Sequence, residues 1–290
     1  EGEIVARTTN ISRTVATCHS LLSGLLPEDA DALTIFTAED GKEWLYPNNT
    51  GCPRLAELMQ AARHQIRVGR KHDAALLNLE RRVKRALGED DEEHLDFIGV
   101  YDACKARLAH GKGLPGTMTE ALLEEVEAVA TRTMARLISP GPRQSDDAEE
   151  MARLSAGRLL HDLVVSMEAA IAGKEHARLK LYSGHDTTLM PLLATLGSLD
   201  LDRWPPYASS VVLELAVDAE EGHFVRALYN GEVLELDGSG RPWVPWPEFR
   251  RRVERFLPRD YPMDCKALKA SAGAAAGGGG DSLVQAPRKR

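Results

Sequence analysis

Residues 181–197, LYSGHDTTLMPLLATLG, constrain the fold more than any other stretch. A short apolar run ends at Ser183-Gly184, a histidine and a carboxylate follow, and an amphipathic helical pattern then begins. A strand that passes straight into a helix is the βα unit of an α/β sheet. In such sheets ligands collect outside the carboxyl ends of the strands, where helix N-termini point N–H groups outward. A second junction of this kind lies near residue 1. GEIVART reads as a strand around Ile4 and Val5 with Arg7 at its end. Thr8, Thr9, Asn10 and Ser12 then offer caps for a helix over 13–26, with Val15, Cys18, Leu22 and Leu25 as its inward stripe.

The remaining pattern places these junctions in a larger plan. LTIFT (33–37) reads as a strand, and from about 52 to 173 the pattern is overwhelmingly helical. Thr117 and Glu120 have capping-box spacing ahead of a helix with Leu122, Val126, Val129 and Leu137 on one face. A polar break over 140–146 precedes a second long helix, with Leu160, Val164, Met167 and Ile171 inward and Gly173 as its stop. The key stretch supplies a strand over 178–183 and a helix over 187–196 ending at Gly197. Val211, Leu213, Leu215 and Val217 alternate along a strand, and 224–229 forms another. Asn230-Gly231 turns the chain back into 233–236. The expectation is an α/β fold whose mostly parallel sheet carries an inserted helical subdomain and an antiparallel extension. The segments are 1–51 and 151–265 for the core, 52–150 for the insertion, and 266–290 as a disordered tail containing SAGAAAGGGG and PRKR.

Composition narrows the partners. With 43% hydrophobic residues the 290-residue chain can bury a core without staples. The net charge of −8 and the lack of a basic stripe argue against nucleic acid as a partner. No apolar run approaches the ~20 residues of a membrane-spanning helix. Cys18, Cys52, Cys104 and Cys265 lack CxxC spacing and are too few for a disulfide scaffold. Zinc is therefore not expected, and the pairing of these cysteines stays open.

Arg7, His185 and Asp186 are the candidate site. A guanidinium, an imidazole and two helix starts around one crevice suit a phosphate dianion, because the planar arginine fork matches phosphate oxygens bidentately. An adjacent carboxylic acid can protonate a departing alkoxide. A carboxylate that accepts N–H bonds from a helix start is held ionised, whereas a general acid must carry a proton, and the two demands on Asp186 conflict. The structural alternatives are a helix cap for His185-Asp186 and a buried salt bridge for Arg7.

These residues also carry a likeness. YSGHDTTLMPLLATLG (182–197) resembles the histidine-aspartate motif of the histidine acid phosphatases. VARTTNISRTVATCHSLLSGLLP (5–27) resembles the family's downstream arginine segment, and WPPYAS (204–209) a third segment. IFTAEDGKEWLYPNNTGC (35–52) and LDFIGVYDACKARLAHGKGLP (95–115) are most similar to the lysophosphatidic acid phosphatase branch. The resemblance implies a phosphoglycerate-mutase-like core and phosphomonoester hydrolysis through a phosphohistidine, with no metal and no cofactor. It implies that Arg7 and His185 bind the phosphoryl oxygens and that Asp186 donates the proton to the leaving group. The implied substrate is a small phosphomonoester or a lysophospholipid. A mitochondrial location follows if the branch holds, with a secretory or lysosomal one next; oligomeric state is not legible.

The family's nucleophile lies in an Arg-His-Gly-x-Arg-x-Pro segment upstream of the downstream arginine, and only six residues precede Arg7. The expectation is therefore an N-terminally truncated chain, inactive by itself. Arg63-His64-Gln65-Ile66-Arg67 is a look-alike in the wrong order, with Gln where backbone closure on phosphate wants glycine. His72-Asp73 follows no strand, and both are expected on the surface. Asn10 and Asn48 match the N-glycosylation pattern. Trp204, Trp243 and Trp246 are expected as packing residues, and His110 is assigned no chemistry. One rival is a non-catalytic phosphate-binding or scaffold protein. The other is a metal-dependent HD-type phosphohydrolase, which needs further His and Asp ligands that the sequence does not supply convincingly.

Overall fold

The computed structural model describes residues 3–266 apart from 29, 31–32, 90–93, 139–145, 221 and 237. The first part runs β1 (Ile4–Thr8), α1 (Ser12–Leu25) and β2 (Ile35–Phe36). Helices α2 (Pro53–Arg70), α3 (Ala74–Leu87), α4 (Phe97–Ala109), α5 (Glu120–Ile138) and α6 (Asp146–Ile171) follow without an intervening strand. The chain then returns through β3 (Leu179–Ser183) and α7 (Asp186–Thr195) to β4 (Val211–Asp218), β5 (Gly222–Tyr229), β6 (Glu232–Val233) and β7 (Val244–Pro245). It finishes with α8 (Trp246–Val253) and α9 (Tyr261–Asp264).

Two sheets result. The order β2-β1-β3 is parallel throughout, with Arg7 opposite Tyr182 and Thr8 opposite Ser183. Strands far apart in sequence thus end side by side. The second sheet is the antiparallel extension, β4-β5-β6, with β7 also paired to β5. Its turn is Asn230-Gly231, both at positive φ as this tight connection requires.

The helices α2 to α5 enclose one apolar core, which also takes in Met151 and Leu154 of α6, Met190 of α7 and Trp204. A second core joins Leu160 and Val164 of α6 and Leu192 and Leu196 of α7 to Val225, Val244 and Phe249. Helices α6 and α7 therefore contribute to both. Because α7 is wedged between two packed bodies, its N-terminal residues are held where the parallel strands end. Cys52 at the start of α2 is disulfide-bonded to Cys265 just after α9, while Cys18 and Cys104 are buried free thiols.

Several expectations need correction. Thr119, not Thr117, caps α5: its Oγ1 accepts from Leu122 N, while the Thr117 amide is committed to the Ala86 carbonyl. The inward stripe of α1 is Thr14, Cys18 and Leu22, whose four-residue spacing leaves Leu25 on the outside at 51% exposed. Val217 lies near the exposed end of β4 and is 71% exposed, unlike Leu213 and Leu215, which pack against the second core. The 233–236 run pairs as a strand only over 232–233. The expected tail from 267 onward and most of the polar break over 140–146 lie outside the described residues.

Candidate active site

The parallel register brings Arg7 and the His185-Asp186 pair to one rim. β1 and β3 end together, and Thr9 N donates to Ser183 O just beyond their last paired residues. Gly184 then makes the tight passage into α7. A Cβ at this position would collide with Thr188 Oγ1, so a side chain is not accommodated there. That Thr188 hydroxyl accepts from His185 N at 2.9 Å and donates to the Leu45 carbonyl. It caps α7 and fastens it to the 43–45 segment in one stroke.

Arg7 is held by the same segment. Its Nη2 donates to Glu43 Oε1 at 2.9 Å, and its guanidinium lies 4.2 Å from the Trp44 ring centre. Glu43 Oε1 also accepts the Trp44 and Leu45 amides at 2.7 and 2.8 Å. Arg7 thus makes the buried salt bridge that its residue type allowed, with side-chain exposures of 15% for Arg7 and 2% for Glu43. Arg7 Nε and Glu43 Oε2 remain buried without a hydrogen-bond partner. An ion pair saturated on one oxygen and vacant on the other is a costly arrangement to bury unless it serves the site.

His185 sits at the N-cap of α7 and is reached from two elements. Its Nε2 lies 3.0 Å from Thr9 Oγ1, and its Nδ1 lies 3.1 Å from Arg13 Nη2 on the first turn of α1. The Tyr46 ring meets it edge-on at 5.8 Å. Burial, reinforced by the positive charge of Arg13, pushes the imidazole below its ordinary value, while Asp186 and Glu43 act in the opposite direction.

Asp186 is the first residue of α7, not its cap. Its Oδ1 accepts the Thr187 amide and its Oδ2 the Trp204 indole Nε1–H, both at 2.7 Å. Trp204 is indeed a core residue, but its polar edge grips the candidate acid. It is fixed in turn by the Tyr101 ring at 5.5 Å and by its own amide on Glu127 Oε1 at 3.1 Å.

The other sequence candidates fall elsewhere. His64 lies exposed on α2 with Arg67 Nη2 3.4 Å from its Nδ1, and Asp73 caps α3 by accepting from Leu76 N. Asn48 is buried, donating to the Asp40 and Glu43 carbonyls and accepting from Gly51 N, so it is unavailable to a glycosyl carrier. Among the described residues no group of three or more His, Cys, Asp and Glu side chains is placed to hold a metal ion. Nor is any helix long and apolar enough to cross a membrane.

Parallel strand ends carrying an arginine on one side and a histidine-aspartate helix start on the other define an α/β protein with a polar rim site. Residues 1–230 match the profile of the histidine phosphatase superfamily (branch 2), and the chain belongs to that family. It is similar to lysophosphatidic acid phosphatase type 6 of Homo sapiens, 30% identical over 239 residues, and to that of Pongo abelii at 31%. Each alignment covers 79% of this chain and 52% of the relative, so the chain spans about half the length of those proteins. Mouse prostatic acid phosphatase is 25% identical over 93% of this chain and 74% of its own. Among solved structures the phytase from Citrobacter braakii shares the fold, with a TM-score of 0.63 at 12% identity over 92% of this chain and 81% of that one.

Proposed function

We propose that the chain forms the anion-binding and proton-donating side of a phosphomonoester hydrolase of acid phosphatase type. The observation that carries this is the register of β1 against β3, which sets Arg7 beside the His185-Asp186 junction on one sheet rim. On this reading Arg7 and His185 hold the phosphoryl oxygens. Asp186, aimed by Trp204, protonates the leaving alkoxide, and the positive groups offset charge on the equatorial oxygens in the transition state. The attacking group in this family's route is a histidine, and splitting the transfer into two steps lowers each barrier.

The 290 residues contain no Arg-His-Gly-x-Arg-x-Pro segment. The polypeptide assayed by itself therefore binds phosphate without turning over phosphomonoesters. Lysophosphatidic acid is the proposed substrate, supported by the relatives named for it. The helical stretch over 52–150 is proposed as a subdomain inserted in the core of 1–51 and 151–265.

A second reading, phosphate binding without catalysis, is favoured by one specific observation: Arg7 is already neutralised by Glu43. One experiment separates the two. The chain is titrated with inorganic phosphate by calorimetry and assayed with para-nitrophenyl phosphate and lysophosphatidic acid. Both assays are repeated with a polypeptide carrying Arg-His-Gly-x-Arg-x-Pro joined ahead of Glu1. Phosphate binding by both, with turnover only by the extended chain and lost in Asp186→Ala, is the expected result. Binding without turnover in either supports the non-catalytic reading. Absence of phosphate binding overturns both, and robust turnover by the 290 residues alone overturns the assignment of the missing nucleophile.

A further inference from the structure

A cleft of about 560 Å³ lies where the turn at 40–42, the start of α2, α6 and α9 meet, with Lys42, Pro53, Arg158, Tyr261, Pro262 and Lys266 in its wall. All three charged side chains lining it are cations, in a chain whose 44 acidic residues outnumber its 36 basic ones. Among the described residues no carboxylate lines it. The cations have weak partners. The Arg158 guanidinium lies 4.8 Å from the Tyr261 ring centre, and its Nη1 meets the Lys42 carbonyl at 3.5 Å, the outer limit of a hydrogen bond. Lys266 Nζ lies 2.8 Å from Met263 Sδ, and a thioether is a poor acceptor. Lys42 pairs with Glu39 at 2.8 Å, but both side chains are largely exposed, where such pairs contribute little. By contrast the enclosed arginines Arg7, Arg54 and Arg70 each hold a carboxylate at 3.0 Å or less.

Like charges gathered on one concave surface repel each other and focus a positive field into it. The positive end of α2, an 18-residue helix beginning at Pro53, adds to that field. A guanidinium stacked on an aromatic ring still has its edge N–H groups available to an oxyanion. We propose that this cleft binds a small multivalent oxyanion, an oligophosphate or a polycarboxylate, through Arg158, Lys266 and Lys42. Three cations drawn from three parts of the chain match several negative charges better than one. The site does not depend on the phosphatase reading, since neither Arg7 nor His185 lines it. Its occupant bridges the turn at 40–42 to α6 and to the residues after α9. Glu43, next to Lys42, grips Arg7, so the same anion steadies that contact as well.

The test is calorimetric titration of the full chain with inorganic triphosphate and, separately, with citrate. At least one of these probes should bind, and Arg7→Ala should keep one site for it. Arg158→Met, which keeps an apolar stem without the charge, should weaken that site by about tenfold to a hundredfold, the worth of a charge-assisted hydrogen bond. Arg158→Lys should recover part of the loss. Far-ultraviolet circular dichroism checks that the variants fold. If Arg158→Met does not, the double variant Lys42→Met with Lys266→Met decides in its place, because both lysines are exposed and their loss leaves the core intact. Binding of neither probe overturns the proposal. So does an affinity that the folded variant leaves unchanged. Binding that disappears in Arg7→Ala overturns it too, because the anion then sits on the sheet rim instead.

Discussion

Trp204 donates its indole Nε1–H to Asp186 Oδ2 across 2.7 Å, so the candidate acid is aimed by a side chain eighteen residues further on in the sequence. The carboxylate has no rotational freedom left, since Thr187 N holds its other oxygen. Trp204→Phe keeps most of the apolar contact and removes only the donor. Leaving a part-buried carboxylate oxygen unpaired costs about 1–3 kcal/mol. Urea unfolding should show a loss of that size at an unchanged slope. An unchanged midpoint would mean that water replaces the indole without penalty.

The Arg7–Glu43 pair predicts an asymmetric pair of variants. Glu43→Ala strands a largely buried guanidinium and also strips the Trp44 and Leu45 amides of their acceptor, a loss of about 3–5 kcal/mol. Glu43→Gln retains an acceptor for those amides and should cost less, with tighter binding of inorganic phosphate because Arg7 is no longer neutralised. Arg7→Ala should weaken phosphate by about tenfold to a hundredfold, the worth of a charge-assisted hydrogen bond. Unfolding curves and calorimetric titrations check both directions.

Acid should destabilise the protein through His185. Its folded-state value lies below the ordinary 6.5. The unfolded chain therefore binds the proton first as pH falls, and stability rises with pH wherever the unfolded state holds more protons. The stabilising term is complete above the unfolded value near 6.5 and is lost as pH drops from there through the depressed folded value. Melting temperatures measured from pH 7.5 down to 5 should fall less steeply in His185→Asn than in the parent. Parallel curves would remove His185 from the acid response.

Gly184→Ala should be destabilising although alanine is otherwise the mildest substitution. The new methyl meets Thr188 Oγ1, the atom that caps α7 and ties it to Leu45. Overpacking of this kind costs about 1–3 kcal/mol. Pairing it with Thr188→Ser, which keeps the hydroxyl and removes the methyl beside it, should recover part of the loss.

Both βα junctions were legible because their signals are local: an apolar strand, small residues at the turn, then helical periodicity. Arg7, His185 and Asp186 sit within those signals. The residues that orient them do not. Glu43 and Trp44 meet Arg7 from 36 and 37 positions away, and Trp204 reaches Asp186 from beyond α7. Trp204 read as packing because indoles usually bury, and nothing in a linear string shows where the polar edge will point. Arg13 had one faint signal, a cation in the first turn of a helix, where the macrodipole disfavours positive charge. The slip from Thr117 to Thr119 has the same origin, because a tertiary contact with Ala86 claimed the first threonine. Local chemistry thus located the rim, and long-range contacts determine how its groups are aimed.

The bond between Cys52 and Cys265 has a topological consequence. It makes a closed ring of everything between those positions, including β3, His185 and Asp186, whereas β1, with Arg7, and Arg13 on α1 stay outside on an open strand of polypeptide. A protease that nicks one peptide bond inside the ring releases nothing, and the cut pieces remain covalently tethered. A nick between Phe36 and Cys52 instead detaches the arginine-bearing half of the rim, with only non-covalent packing left to retain it. Limited digestion, with and without reductant, would thus part the two halves of one site by a single cut.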